Sequence, residues 1–372
     1  MRIAFDITPL AVPQSGVGTY TANLLAHLYR QTEDQILPLI HRPLALAASE
    51  IEFPAPSVRS PWGRLNKTLW MQMLLPWQLS RLRPDVAHFT NSVAPLYAPC
   101  PTVITIHDMT LWLFPEHHYR RRLLAMRPFI PIAARRAGAI IAVSHSAKAD
   151  IVRILGVPAE KVHVVYEAPP PAFRLLAPGP LLESVRREYH LPERFLLYVG
   201  TLEPRKNLVR LLEAFAYLRR AVRLPHTLLV VGRRGWKEDA IFEAVERLAL
   251  GDAVRFLDYV PTTALVALYN LAEALAFPSL YEGFGLPVVE AMACGTPVVT
   301  SERGSLGEIA GGAAQFVEPT NVESIAAGLH TVLNDEFRRA ELRVLGLAHV
   351  AALTWVATAR QTRQVYEGAL ER

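Results

Sequence analysis

The sequence predicts an α/β protein with two domains, each built on a parallel sheet. Short runs of Val, Ile and Leu alternate with helical patterns along the chain, and strands that alternate with helices form parallel sheets. The 372 residues, 51% of them hydrophobic and 20% charged, suffice for two cores of ordinary size. Proline clusters at 168–171 and 177–180 interrupt the pattern near the middle of the chain, as is typical of a linker.

These observations predict a domain boundary after residue 170. We expect a first domain over residues 1–170 and a second over residues 171–355. Residues 356–372 form a final predicted helix. It is long enough to return to the first domain and pack against it, which is where we expect it to lie.

The composition argues against several classes of protein. Two cysteines, Cys100 and Cys294, provide no disulfide framework, which indicates a reducing compartment. The chain begins directly on a predicted strand, Arg2 to Ile7, with no apolar signal core. No run of about 18 apolar residues occurs, so no transmembrane helix is expected. These features predict a cytoplasmic protein.

Positive charge is concentrated in the first half of the chain. Residues 1–170 hold 17 Lys and Arg against 11 Asp and Glu, and residues 58–136, the basic band, hold 11 against 3. Such a band favours contact with an anionic surface, here the inner face of the cell membrane. The alternative is a solvated face above helices that pack on their own domain. No nucleic-acid partner is expected. Within residues 59–83, the first part of the basic band, the tryptophans and cations include Trp62, Arg64, Lys67, Trp70, Trp77, Arg81 and Arg83.

Two glycines open the first predicted helix. Gly16 and Gly18 follow the first strand and precede a helix that extends to about Tyr29. Glycines at a strand-to-helix turn commonly bind phosphate. The dinucleotide-binding fingerprint is not met, because its third glycine is absent and the loop after the strand is too long.

A histidine and an aspartate follow the buried strand Thr102 to Ile106 directly. These residues are His107 and Asp108. In open α/β sheets the carboxyl ends of the strands line the ligand crevice. We therefore predict a functional role for His107 in preference to a structural one.

The most informative stretch runs from Tyr281 to Pro297. A loop with two glycines is followed by a short apolar helix, Val288 to Cys294, that carries one charge, Glu290. An unpaired carboxylate on so small and apolar a helix is unlike a packing residue, so we expect Glu290 to contact a ligand. The helix N-terminus directs its amides at whatever lies above the sheet.

Four predicted sites therefore lie at strand ends, two in each half of the chain. They are Gly16 with Gly18, His107, Arg205 with Lys206, and Glu282 through Glu290. Two α/β domains that face each other would bring them to one cleft. Glycine amides and cations bind phosphate, and the two glutamates can accept hydrogen bonds from hydroxyls. A nucleotide sugar, a diphosphate between two polyhydroxyl groups, satisfies all of these.

Two motifs closely resemble glycosyltransferase family 4. One is the Glu-x7-Glu pattern from Glu282 to Glu290, within E-G-F-G-L-P-V-V-E-A-M-A-C-G-T-P-V-V; the other is G-T-L-E-P-R-K-N at Gly200 to Asn207. The resemblance covers essentially the whole chain, from Gly16 to Trp355. It implies a retaining enzyme of the GT-B fold, with two Rossmann-like domains that face across a cleft. The first would bind the acceptor and the second the nucleotide-sugar donor.

The resemblance also implies roles for the candidate residues. Glu290 would bind the ribose hydroxyls, and Glu282 would hold the donor sugar. Lys206, with Arg205, would stabilise the leaving diphosphate, and His107 would lie beside the anomeric end of the sugar. The remaining substrate-binding residues would be Gly16, Gly18, Asp108, Gly283, Phe284, Gly285 and Leu286.

One departure from the family concerns the diphosphate site. Many relatives carry an arginine directly after the glycine that ends this strand, and here that residue is Thr201. The loss of one cation gives more weight to Lys206 and leaves the role of Arg205 open. No Asp-x-Asp sequence occurs, so we expect neither a metal nor another cofactor, with the nucleotide sugar as co-substrate.

The donor is predicted from a further part of the resemblance. His107-Asp108-Met109-Thr110, followed by Phe114-Pro115-Glu116, looks most like members that use GDP-mannose. The sequence thus predicts mannosyl transfer to a lipid-linked or polysaccharide acceptor, with UDP-glucose or UDP-N-acetylglucosamine as alternative donors.

Two alternatives of other classes were weighed. A nucleotide-sugar epimerase would need groups placed for proton abstraction from the sugar ring, and the Glu-x7-Glu block argues against it. A non-catalytic nucleotide-sugar-binding protein would have lost key residues. Here His107, Lys206, Glu282 and Glu290 are all present.

Overall fold

The computed structural model describes residues 1–12, 16–31, 33–44, 58–59 and 67–371. The chain forms two compact units. The first unit contains Met1–Pro115, Tyr119–Glu167 and Thr354–Arg372, and the second contains Glu116–His118 and Ala168–Leu353. Each unit has a parallel sheet covered by helices, which confirms the predicted α/β class.

The sheet of the first unit has seven strands in the order β3-β2-β1-β4-β5-β6-β7. All of its strand pairs are parallel. The strands are β1 (Arg2–Asp6), β2 (Gln35–Ile40), β3 (Val58–Arg59), β4 (Val86–Phe89), β5 (Thr102–Ile106), β6 (Ala139–Ala142) and β7 (Val162–Val164). The sequence order reverses between β1 and β4, and a crevice above the carboxyl ends of the strands forms at such a switch point.

Strand β2 was not predicted, because it contains Pro38. Proline cannot donate to a sheet ladder and argues against an interior strand. Here β3 pairs with β2 only at Leu39 and Ile40. Pro38 therefore lies where β1 is the only described partner of β2, and the missing N–H is tolerated.

The helices of the first unit cover both faces of its sheet. Helix α1 (Gly16–Gln31) begins at the predicted glycine and buries Tyr20, Leu24 and Leu28 along one face. The predicted loop from Leu10 to Ser15 begins instead with a single 3-10 turn, Thr8–Ala11, and residues 13–15 lie outside the described residues. The other helices are α2 (Lys67–Leu69), a π-helical turn (Trp70–Leu74), α3 (Leu75–Leu82), α4 (Thr110–Leu113), α5 (Arg120–Met126), α6 (Phe129–Arg136), α7 (His145–Leu155) and α16 (Trp355–Leu370).

Helix α16, although last in the chain, is part of the first unit. The hydroxyl of Thr354 caps it by accepting a hydrogen bond from the Ala357 amide at 3.2 Å. Trp355 and Tyr366 are buried, and Arg363 forms an ion pair with Asp34 at 2.8 Å. Apolar burial and one ion pair thus attach this helix to α1 and the sheet.

The sheet of the second unit has six parallel strands in the order β10-β9-β8-β11-β12-β13. Its order reverses between β8 and β11. The strands are β8 (Phe195–Val199), β9 (Thr227–Val231), β10 (Val254–Phe256), β11 (Ala274–Phe277), β12 (Val298–Ser301) and β13 (Gln315–Val317). The helices are α8 (Pro180–Glu188), α9 (Leu208–Ala221), α10 (Asp239–Arg247), α11 (Thr262–Leu271), α12 (Leu286–Ala293), α13 (Leu306–Ala310), α14 (Val322–Asn334) and α15 (Glu336–Val350).

One stretch, Glu336–Leu370, meets a length and hydropathy criterion for crossing a membrane. The structure divides it into α15 and α16, with non-helical residues near Leu353. These two helices belong to different units. The apolar window therefore spans two helices, each of which buries one face in its own unit.

Candidate active site

The loops that follow β8 and β11 meet at the switch point of the second unit. After β8 the chain turns through Gly200 to Arg205 and Lys206, and after β11 it reaches Ser279 and Glu282. The backbone amide of Leu280 donates to the carbonyl oxygen of Arg205 at 2.9 Å. The fold therefore brings these two predicted sites together, although they lie more than 70 residues apart.

Glu282 is the centre of this cluster. Its carboxylate contacts Lys206 Nζ at 2.7 Å and Arg205 Nη1 at 2.9 Å, and it accepts a hydrogen bond from Ser279 Oγ at 2.6 Å. Burial alone would raise the pKa of this carboxyl group, but Arg205 and Lys206 outweigh burial and lower the pKa to about 2. Glu282 is therefore ionised at neutral pH, and two cations fix its position.

Arg205 lies between two carboxylates. Its guanidinium contacts Glu203 at 2.5 Å and Glu282 at 2.9 Å, and it donates to the carbonyl oxygen of Tyr281 at 2.5 Å. Glu203 is 3% exposed. Two carboxylates and two cations make this cluster neutral overall.

The loop that carries Glu282 is held by its neighbours. Ser305 Oγ donates to the carbonyl oxygens of Glu282 at 3.0 Å and Phe284 at 2.8 Å. Gly304 has φ of +61°, and a Cβ there would lie 2.6 Å from the Glu282 carbonyl oxygen. Gly285 has φ of +105° and precedes α12 directly. Only glycine fits these two conformations without strain.

Glu290 has a partner, contrary to the expectation of an unpaired carboxylate. The hydroxyl of Tyr269, on α11, donates to Glu290 Oε2 at 3.1 Å. Both side chains are buried. Helix α12 also begins earlier than expected, at Leu286 and not at Val288. Its first turn therefore includes Leu286 and follows Gly283, Phe284 and Gly285 directly.

His107 lies in the first unit, directly after the carboxyl end of β5, which is the neighbour of β4 in the sheet. Its Nδ1 is 3.1 Å from Glu167 Oε1, and its Nε2 is 3.0 Å from the carbonyl oxygen of Thr90. The edge of Tyr20 contacts the ring at a centroid distance of 4.8 Å. Burial lowers the pKa of His107, but the Glu167 carboxylate outweighs burial and raises the pKa above its ordinary value.

The other predicted residues of the first unit are Asp108, Gly16 and Gly18. Asp108 accepts hydrogen bonds from the amide and hydroxyl of Thr110, at 3.0 and 2.5 Å, and so stabilises the start of α4. Gly16 is exposed at the first position of α1 and Gly18 is buried. Tyr20, on the same helix as the two glycines, contacts the ring of His107.

A cavity of about 730 Å³ opens at the other end of the same sheet. Its lining includes Thr102, the first residue of β5, and Gly138, the residue before β6. Arg136 and Lys161 also line it. None of the predicted site residues lines it. Within the described part of the chain, no three His, Cys, Asp or Glu side chains are grouped so that they could hold a metal ion.

Several residues that the structure places in these clusters were not predicted from the sequence. Glu203 could have been found, because it lies two residues before Arg205 in the G-T-L-E-P-R-K-N motif. Glu167, Ser279 and Tyr269 carry no comparable signal. Their contacts depend on which strands and helices become neighbours.

Comparison with known proteins agrees with the fold and the motifs. Residues 14–168 match the family described as Glycosyltransferase Family 4, and residues 184–344 match Glycosyl transferases group 1. O-antigen chain mannosyltransferase B of Escherichia coli is 31% identical over 380 residues, which cover 99% of this chain and 100% of that protein.

Two further relatives match part of the chain. Serotype-specific mannosyltransferase WbdA of Escherichia coli is 28% identical over 304 residues, or 76% of this chain and 36% of that protein. Glycogen synthase of Mycobacterium tuberculosis (strain CDC 1551 / Oshkosh) is 37% identical over 176 residues, or 46% of this chain and 42% of that protein.

Solved structures share the fold over nearly the full length. Sucrose-phosphate synthase from Thermosynechococcus elongatus has a TM-score of 0.76 at 20% identity, over 98% of both chains. Anabaena HepE in complex with UDP and glucose has a TM-score of 0.77 at 20% identity, also over 98% of both chains.

The two parallel sheets and these full-length structural matches show the GT-B fold, and the matched family models and relatives define the class of protein, a glycosyltransferase. The chain belongs to glycosyltransferase family 4.

Proposed function

We propose that this enzyme is a retaining mannosyltransferase that transfers mannose from GDP-mannose to a hydroxyl group of a lipid-linked or polysaccharide acceptor. The observation that carries the proposal is the 31% identity to O-antigen chain mannosyltransferase B along the full length of both chains. The natural product would then be a surface polysaccharide of the O-antigen kind.

The second unit supplies the donor site in this proposal. Glu290 accepts hydrogen bonds from the ribose hydroxyls, with Tyr269 holding its second oxygen. The donor sugar lies at Glu282, and the diphosphate lies at the loop of Gly283, Phe284 and Gly285. Buried carboxylates that already have ordered partners suit this task, because little side-chain freedom is lost when a ligand binds.

Lys206 and Arg205 respond to charge that develops on the leaving diphosphate. Both cations contact Glu282 in the structure. As the glycosidic bond breaks, the diphosphate gains negative charge and the sugar becomes oxocarbenium-like. A fixed donor aimed at such charge contributes about 3 kcal/mol to the transition state. Glu282, which faces the sugar, balances the opposite charge on the ring.

A peripheral contact with the inner face of the cell membrane is part of the proposal. Leu69, Met73 and Trp77 recur every fourth residue, and more than half of each side chain is exposed. The guanidinium of Arg81 lies 3.9 Å from the centroid of the Trp77 ring. The opposite side of this segment, with Trp70, is buried in the first unit. An apolar stripe beside cations is the pattern of a surface-bound helix.

Helix α5 adds exposed cations to the same basic band. Arg120, Arg121 and Arg122 form its first turn and are exposed, and Leu124 is 76% exposed. Trp62 and Arg64, which the sequence analysis counted in this band, lie outside the described residues.

The donor is tested by nucleotide release and by binding. Purified protein is incubated with GDP-mannose, UDP-glucose, UDP-N-acetylglucosamine and an ADP-sugar, and free nucleotide is measured with and without a lipid extract as a source of acceptor. We expect release of GDP alone, and calorimetric binding of GDP in preference to UDP. Preferential release and binding of UDP would contradict the proposal.

A glucosyl donor is the second candidate. The 37% identity to a glycogen synthase over 176 residues favours it. The same experiment distinguishes the two, since a glucosyl donor predicts release of UDP or ADP.

A further inference from the structure

We propose that Glu167 is a positioning residue that holds His107 as a doubly protonated imidazolium in one orientation. The effect on turnover rests on the proposed function, together with the role beside the anomeric end of the sugar that the family resemblance implies for His107. The protonation state itself does not depend on that function.

The hydrogen-bond partners of His107 set its protonation state. Nδ1 faces Glu167 Oε1 at 3.1 Å, and Nε2 faces the carbonyl oxygen of Thr90 at 3.0 Å. A carbonyl oxygen and an ionised carboxylate only accept hydrogen bonds. Each ring nitrogen must therefore donate, and only the imidazolium form has two N–H groups.

The burial of Glu167 supports the same assignment. Its side chain is 4% exposed, and a buried carboxylate is costly unless a cation balances it. Among the described residues, His107 is the one cationic group recorded within 4.0 Å of Glu167. A neutral His107 would leave this carboxylate buried without a charge partner.

The other groups that face His107 do not compete for its protons. Tyr20 contacts the ring through its edge, and its own hydroxyl is 3.0 Å from Thr105 Oγ1. His88 lies on β4, where burial lowers its pKa to about 3 and keeps it neutral. Asp108 adds a weaker attraction, and together with Glu167 it raises the pKa of His107 against the effect of burial.

His88 shows what the alternative arrangement looks like. Its ring nitrogens face the hydroxyl groups of Tyr366 at 2.7 Å and Thr105 at 2.8 Å. Hydroxyl groups both donate and accept, so a neutral imidazole is satisfied there. Two histidines in one unit thus have opposite charge states because of their partners.

The consequence for chemistry concerns proton transfer. With both N–H groups engaged, His107 has no lone pair to accept a proton from an acceptor hydroxyl, so it does not act as a general base. It serves as an oriented cation. Glu167 is also the last residue of the first unit before the chain continues into the second at Ala168. The residue that orients His107 therefore lies at the boundary between the two units in the sequence.

The experiment measures the protonation of His107 directly. Histidine ring nitrogens of the full-length protein are followed by NMR between about pH 5 and pH 9, and the His107 signal is assigned through its loss in His107→Asn. We expect both nitrogens to be protonated at about pH 7.5 in the wild type. In Glu167→Gln the titration should move down by at least about one pH unit.

Two further variants separate positioning from folding. Glu167→Asp should restore part of the raised titration midpoint, and Glu33→Gln, an exposed glutamate of the same unit, should leave it unchanged. A neutral His107 at about pH 7.5 in the wild type, or the same titration in Glu167→Gln, would overturn the inference. This measurement does not require turnover, so it tests the protonation state of His107 even if the donor differs from the one proposed.

Turnover then tests the functional consequence. Glu167→Gln should lose at least about tenfold in kcat at pH 8 and recover most of it at pH 6, because a lowered pKa deprotonates His107 as the pH rises. KM for the donor should change less than kcat. An equal loss at both pH values would indicate a structural effect and would contradict the positioning role.

Discussion

Lys206 and Glu282 form a buried ion pair with 2.7 Å between Nζ and Oε1. The two residues extend from the loops after β8 and β11, which flank the switch point of the second unit. Since Arg205 and Glu203 join the same cluster, it holds two positive and two negative charges. In the proposed function, a diphosphate would therefore bind through a change of ion-pair partners, and not through a standing excess of positive charge.

Removal of the Lys206 ammonium should mainly affect turnover. We expect Lys206→Ala to lower kcat at least about tenfold, since one charge-assisted contact is worth 1.5–3 kcal/mol. The measurement is GDP release from GDP-mannose under saturating donor. Lys148→Ala, on α7 of the other unit, is the control. Near-normal kcat in Lys206→Ala would contradict its assigned role.

Loss of the charge on Glu203 should remove one of the partners that hold Arg205 and so destabilise the fold. In Glu203→Gln the guanidinium keeps Glu282 and the Tyr281 carbonyl oxygen but loses its 2.5 Å partner. Breaking a buried pair costs about 3 kcal/mol at the lower end of the usual range, so the midpoint of thermal unfolding should fall. The exposed Glu188→Gln, on α8, should unfold like the wild type. Equal midpoints for both variants would show that Glu203 contributes nothing to the cluster.

The acid dependence of stability should report on Glu282. Its pKa is lowered from 4.5 to about 2, so its pairing stabilises the fold above about pH 4.5, and this contribution is lost as the pH falls toward 2. The shift corresponds to about 3 kcal/mol.

Urea unfolding at several pH values between 6 and 3 measures this dependence. Glu282→Gln should be less stable than the wild type at pH 6, and the difference should narrow toward pH 3. A difference that is constant across this interval would exclude linkage through Glu282.

The hydroxyl group of Tyr269 should affect donor affinity. Tyr269→Phe removes the 3.1 Å hydrogen bond to Glu290 and frees the carboxylate to reorient. Loss of one such bond costs about 1 kcal/mol, or about fivefold in the dissociation constant of GDP measured by calorimetry. Tyr217→Phe, at a side chain 54% exposed on α9, is the matched control. If Tyr269→Phe binds GDP with unchanged affinity, the hydrogen bond from Tyr269 to Glu290 does not contribute to nucleotide binding.

Charge reversal on α5 should weaken membrane contact. Arg120, Arg121 and Arg122 changed together to Glu should reduce sedimentation with vesicles that contain anionic lipid, because each basic residue near such a surface contributes about 1 kcal/mol. Vesicles of neutral lipid provide the control. If the variant and the wild type sediment equally with anionic vesicles, the basic band is a solvated face.

Much of the fold was predictable because its signals are local. The Gly16 turn begins a helix, and Gly285 and Pro287 mark the start of α12, since glycine and proline restrict the backbone wherever they occur. Strand β2, which contains Pro38, was not predicted; among the described residues it pairs with β1 on one side and, at Leu39 and Ile40, with β3 on the other. Strand pairing joins separate segments of the chain, so it cannot be predicted from the local sequence of one segment.

The candidate site also has a part that could be predicted from the sequence and a part that could not. Lys206, Glu282 and Glu290 were recognisable from the order and spacing of their motifs, which are properties of the chain. The charge partners of these residues were not. Tyr269 holds Glu290, Glu203 holds Arg205, and Glu167 holds His107 because folding places separate segments side by side. Whether a carboxylate is free, paired or buried depends on those neighbours, so the charge state of the site follows from the tertiary structure and its chemical identity follows from the sequence.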